Sequence, residues 1–255
     1  MVGMNGKIHK GQSLQGIFES RVVLWSPISA VNKVLKASLG FYLLLIPTRP
    51  VFGQSVAVPN GKAIPEIIVH VHDYVQVPQE TLVRAEEVTS GILREAGVGV
   101  VWVNCNYVIP AEERGFKCAQ QLSSMDLVMN IVDRIQLLSP NLREVAMGLA
   151  VVPLNGREGD LAYLSMHQAA SVALESSVPL ETILGLGAAH ELGHLLLGEN
   201  AHTSSGLMKR RWGPSELEFG SHGKLLFTPK QSGRIRTNLL LRQKEHFGFC
   251  GIDTG

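Results

Sequence analysis

His190 and His194 stand four residues apart in Ala189-His190-Glu191-Leu192-Gly193-His194. On a helix that interval puts both imidazoles on one face, where they can bind the same metal ion. A pair of imidazole ligands suits zinc. Glu191 projects beside them, where its carboxylate can take a proton from water activated by the metal. The flanking residues are Leu, Ile, Ala and Gly, so polar side chains here need partners or a function to offset their burial. A satisfied pair of core histidines is the plain alternative, and it fits that apolar setting less well.

A zinc site needs a third protein ligand, and three residues compete for the place. His202 lies eight residues beyond His194, after Gly198-Glu-Asn-Ala, and Met208 follows in Thr203-Ser-Ser-Gly-Leu-Met208. Glu199 stands at the immediate helix end, where its side chain points away from the metal. Glu216, in Pro214-Ser-Glu-Leu-Glu218, lies on a later segment.

The stretch His190–Met208 resembles the metzincin clan of zinc endopeptidases, above all exported bacterial members with a His-Leu-Leu-Leu-Gly variant of the motif. The resemblance implies Zn²⁺ held by His190, His194 and His202, Glu191 as general base, Met208 in a tight turn beneath the metal, and a peptide or protein substrate. It also implies a single α/β zincin domain, with a twisted, mostly parallel sheet and an active-site helix carrying the HExxH motif. The departure is in spacing. Metzincins place Gly three and His six residues after the second His, whereas here the intervals are four and eight. No tyrosine follows Met208; Lys209-Arg210-Arg211-Trp212 stands there. Glu216 as third ligand would instead resemble a gluzincin. A non-catalytic, zinc-stabilised binding module is the remaining alternative, though such a site has no need of Glu191.

The elements that must position these residues are legible in outline. Glu66 to Val75 alternates and is β-branched, so it reads as a strand. Pro78 opens an amphipathic helix to about Ala96, with Leu82, Val83, Ala85, Val88, Ile92 and Leu93 at helical spacing, and Gly97 stops it. Strands are expected at Val98–Val103, Asp126–Val132, Ala146–Val152 and Leu161–Met166, the last of these as a sheet edge able to hold an extended peptide. Pro179 starts a long helix that ends at Leu197 before Gly198, and Gly185 and Gly187 within it suggest close backbone packing. Thr228 caps a final helix to about Gln243, with Ile235, Leu239 and Leu240 facing inward. His70 and His72 share a strand face expected to be solvated, His167 follows the last strand as a possible cleft residue, and Lys209-Arg210-Arg211 reads as a solvated loop.

The first 53 residues read as an address. Lys33 and Lys36 precede the apolar run Ala37–Ile46, Pro47 breaks it, and Val51-Phe-Gly53 places small residues before Gln54. That is the layout of a secretory signal peptide cleaved between Gly53 and Gln54, with 54–65 as linker and 66–255 as the catalytic domain. The expected destination is secreted or periplasmic, with no membrane association after cleavage. In an oxidising compartment Cys105 and Cys118, flanking a polar loop, are expected to pair; Cys250 is left over.

Charge excludes a further class. The chain has 23 basic and 22 acidic residues, of which six basic and one acidic lie in 1–53. The remainder holds 17 and 21, a net of −4, which is no footprint for nucleic acid.

Overall fold

The computed structural model describes residues 20–25, 64–106, 118, 122–135, 146–153, 159–198 and 200–248. Six strands form one sheet: β1 (Ser20–Trp25), β2 (Glu66–Asp73), β3 (Gly99–Asn106), β4 (Asp126–Val132), β5 (Gly148–Pro153) and β6 (Leu161–Ser165). Their spatial order is β1-β5-β6-β4-β2-β3. The pairs β2–β3, β2–β4 and β4–β6 are parallel, while β5 runs antiparallel to both β6 and β1. β6 is therefore internal, between β5 and β4, and not the edge expected for Leu161–Met166. The edge on that side is β1, which lies outside the 66–255 range assigned to the domain.

Among the described residues five helices accompany the sheet: α1 (Gln79–Glu95), α2 (Met166–Ser176), α3 (Leu180–Leu197), α4 (Pro214–Ser221) and α5 (Pro229–Gly248). α1 presents Leu82, Ala85, Ile92 and Leu93 to the core, but Val83 is exposed. α3 is buried from Ile183 to Leu197 on every side, as a helix apolar all round must be. Its glycines are contact points. A Cβ at Gly185 would lie 2.7 Å from the Ala85 carbonyl oxygen on α1, and one at Gly187 would lie 2.7 Å from Met147. No helix among the described residues is long and apolar enough to cross a membrane.

Burying the C-terminal end of α3 strands its last carbonyls, which need donors from elsewhere. α5 supplies them. Asn238 Nδ2 donates to the Leu196 carbonyl at 2.8 Å, and Arg242 Nη2 donates to those of Leu195 and Gly159 at 2.9 and 2.8 Å. Ile235 and Leu239 of α5 are buried beneath it, whereas Leu240 faces out. Cys105 and Cys118 form a disulfide. Cys250, Glu199 and the whole of 26–63 lie outside the described residues.

His70 is buried, not solvated, because Asp126 on the neighbouring β4 accepts from its Nε2 at 2.5 Å. Ser123 donates to the same carboxylate through its amide at 2.9 Å and through its hydroxyl. Burial pushes the Asp126 carboxyl up, but these hydrogen bonds outweigh it and hold it below its ordinary value. A depressed carboxyl adds stability above its unfolded pKa, about 3.9, and loses it as pH falls through the folded value. Asp126→Asn should therefore lower stability at pH 7 by about 1–3 kcal/mol. It should also flatten the acid limb of the unfolding profile, read by urea titration at a series of pH values; a limb as steep as wild type would dismiss Asp126 as its source.

Candidate metal centre

α3 carries His190 and Glu191 side by side and His194 one turn further on, all three at most 1% exposed. His190 Nδ1 donates to the Leu207 carbonyl at 2.8 Å, which leaves Nε2 with its lone pair. Trp212 Nε1 donates to the same oxygen at 3.0 Å. Such bonds to the far side of an imidazole fix its orientation toward a metal. His190 Nε2 and His194 Nε2 are 3.2 Å apart. Tetrahedral zinc with bonds of about 2.0–2.1 Å sets its ligand nitrogens about 3.3–3.4 Å apart, so the pair has the right span.

His202 completes the group. One ring nitrogen from each of His190, His194 and His202 lies within 4.8 Å of the others. Of the two residues by which the spacing is longer, one lies before Gly198, in the last turn of α3, and one between Gly198 and His202. Gly198 ends α3 with φ +69°, its amide bonded to the His194 carbonyl, and Asn200 takes φ +57°. The chain then turns back over α3, and Gln231 holds it there. Gln231 Nε2 donates to the Ala201 carbonyl at 3.0 Å and to Thr203 Oγ1 at 3.2 Å, while its Oε1 accepts from the Thr228 amide. Gln231 was not singled out by sequence; the only signal was its place three residues after Thr228, as part of a helix cap.

The electrostatics favour ligation. Burial lowers the His190 pKa to about 3, the Leu207 carbonyl opposing and His202 adding to the shift. Burial, then His190 and His202, also holds His194 well below its ordinary value. His202 is lowered by burial and by Arg210. All three are thus neutral at physiological pH, with lone pairs that protons do not occupy. His194 Nδ1, His202 Nε2 and both oxygens of Glu191 are buried without a hydrogen-bond partner among the described residues. Orphaned polar atoms are costly in a folded protein, and a cation among the three rings would occupy imidazole lone pairs and lower the cost of the buried carboxylate beside them. The residues present fit zinc.

Other candidates fall elsewhere. Glu216 accepts from Lys209 Nζ at 2.7 Å and from the Gly213 amide at 2.7 Å, so it caps α4 and is not among the converging ligands. His167 opens α2, its Nδ1 3.3 Å from Arg134 Nη2. His72 stacks near Tyr74, with ring centroids 6.5 Å apart. Met208 is fully buried, and its sulfur stands 2.6 Å from where a Cβ on Gly193 would lie. It sits in a tight turn closed by the Lys209 amide on the Gly206 carbonyl at 3.1 Å.

No family model matches the chain, and no curated protein matches it. Among solved structures, archaemetzincin from Methanopyrus kandleri is similar at 19% identity, over 69% of this chain and 96% of that chain, with a TM-score of 0.39.

Above Glu191 lies Gly148, the first residue of β5. A Cβ there would fall 2.1 Å from Glu191 Oε1 and 2.5 Å from its Cδ. Only glycine lets the strand pass this close to the carboxylate. Gly148→Ala should cost about 1–3 kcal/mol by overpacking and push the Glu191 carboxylate out of place. The thermal midpoint should fall while the zinc content of the dialysed protein stays at one per chain; an unchanged midpoint would mean that the strand and carboxylate are not in contact.

Proposed function

We propose that this chain is a zinc-dependent endopeptidase of metzincin type, with His190, His194 and His202 as ligands and Glu191 as general base. The observation that carries the reading is the carboxylate. A metal held only for structure needs three or four ligands, but it does not need a buried acid, without a hydrogen-bond partner among the described residues, between two of them in sequence. Bound zinc supplies Lewis-acid polarisation of a peptide carbonyl and makes water acidic. Burial raises the Glu191 pKa above its ordinary value, because the apolar surroundings disfavour its charged form. Glu191 takes the water's proton at one oxygen and returns it to the departing amine. Met208, in the role of the metzincin methionine turn, packs under α3 and supports the histidine-bearing helix without touching substrate.

The Cys105–Cys118 disulfide supports an oxidising destination, in keeping with a leader removed between Gly53 and Gln54. N-terminal sequencing of exported protein should begin at Gln54; a start at Met1 or Met4 would refute cleavage. Activity is tested with zinc-loaded protein and a library of quenched fluorescent peptides. Hydrolysis should appear with zinc, vanish on chelation and return on reconstitution. Stoichiometric zinc with no cleavage, by the intact chain or by chain processed at Gly53, would leave a binding module.

A further inference from the structure

α4 starts beside the metal centre and runs back along α3. Trp212 donates to the Leu207 carbonyl that also accepts from His190, and α4 begins two residues later, at Pro214. A Cβ on Gly220 of α4 would fall 2.5 Å from Leu186 of α3, so the two helices pack closely. Between α4 and the C-terminal end of α2 lies a groove of about 340 Å³. That is within the roughly 300–1,000 Å³ of pockets that take a ligand. Its floor is apolar, with Val172, Val178 and Leu217 buried. Its walls are acidic, with Glu175 on α2 and Glu218 on α4, both exposed.

Both helices also end here. Ser176 and Ser221, their last residues, line the groove, and neither helix has a basic residue in its last turn. A helix C-terminus carries roughly half a negative charge in its unpaired carbonyls. Two such ends and two carboxylates therefore converge on one apolar-floored concavity. Among the described residues no basic side chain lines the groove, and neither Glu175 nor Glu218 has an ion pair.

We infer that this groove docks an extended peptide segment through an arginine side chain. The apolar stem of arginine suits the floor, and its planar fork of donors can reach carboxylates on both walls. Leu174 and Phe219, next in sequence to the two carboxylates, are 85% and 55% exposed, which offers apolar surface to the residues flanking that arginine. A peptide covers such surface, whereas a small free cation does not. A substrate cleaved at the metal can hold the groove with a second part of its chain, and binding energy from a remote part helps orient the reacting bond. The substrates so selected carry an arginine among apolar residues. This last step rests on the peptidase reading, whereas docking itself does not.

The test uses full-length, zinc-loaded protein carrying Glu191→Gln, so that no probe is cut. A fluorescent Ala-Leu-Arg-Leu-Ala peptide, and its copy with norleucine in place of arginine, are titrated by anisotropy. The arginine peptide should bind about 2–25-fold more tightly, as expected of two exposed ion pairs together. Glu175→Gln combined with Glu218→Gln should erase the difference, and added salt should shrink it. Ser221→Trp, which fills the groove without altering its charge, is the second arm and should weaken both peptides with no change in circular dichroism. Equal binding of the two peptides, or a preference that survives the double substitution, overturns the inference. Displacement of the peptide by an equal concentration of arginine amide also overturns it, in favour of a small-cation site. In the Glu191-containing chain, quenched peptides with an arginine away from the cleaved bond should lose the same factor in kcat/KM on double substitution. Charge-dependent binding with no hydrolysis of any peptide keeps the docking groove and discards the peptidase. Hydrolysis untouched by the double substitution keeps the peptidase and overturns the groove as a substrate site.

Discussion

Glu191→Gln is expected to leave one zinc per chain while peptide hydrolysis falls by about 10²–10⁴-fold, the usual contribution of a general base. The separation of effects follows from geometry. Glu191 lies between the two helix histidines in sequence but is not in the converging nitrogen group, so removing its charge takes no ligand from the metal. Its oxygens accept no hydrogen bond from the described residues, so a neutral amide of the same shape breaks no existing bond. It also removes a buried group whose ionisation burial opposes, so the thermal midpoint of the metal-free protein should hold or rise. Zinc by mass spectrometry, the midpoint by calorimetry and turnover by fluorescence read the three quantities. Loss of zinc in this variant would make Glu191 a ligand, and undiminished turnover would remove it from the mechanism.

Removing a ligand has the opposite signature. His202→Ala should weaken zinc binding by more than the 10–100-fold typical of outer contacts, and His194→Ala should do so at least as strongly. Wild type at a zinc concentration 100 times its Kd gains about 2.7 kcal/mol of stability, and both variants should lose most of that gain. Glu216→Ala should keep zinc, since its carboxylate is held by Lys209 and the Gly213 amide. Burial pushes Glu216 up, but those partners outweigh it and keep its carboxyl below its ordinary value. Its loss is felt at α4, as a modest drop in midpoint. Competition with a chromogenic chelator orders the four proteins. Zinc kept by His202→Ala and lost by Glu216→Ala would make Glu216 the third ligand in place of His202.

Local pattern and punctuation settle much of this molecule before any contact is considered. β4 is legible to the residue because Asp126–Val132 is a mostly apolar segment of strand length. α3 is legible because Pro179 and Gly198 bracket a largely apolar segment of helical length, and the interval between His190 and His194 already puts two ligand candidates on one helix face. Glu191 beside them comes with the same short stretch. α2 is not legible, since Ser165 ends β6 and at once caps the helix, its hydroxyl accepting from the Gln168 amide at 3.2 Å. No turn residues separate strand from helix.

What the tertiary structure alone decides depends on residues distant in sequence. His70 is buried by Asp126, 56 residues away, on a strand that local alternation cannot assign as its neighbour. His202 converges with the helix histidines, despite its altered spacing, because Gln231 on α5 pins the returning loop. Sheet order is the largest such decision. Alternation marks β6 as a strand, but only long-range pairing makes it internal and sets residues 20–25 on the flank beside Glu191. Hydrogen-bond partners across a sheet are chosen by the whole chain, whereas the period of a helix is written within a few residues.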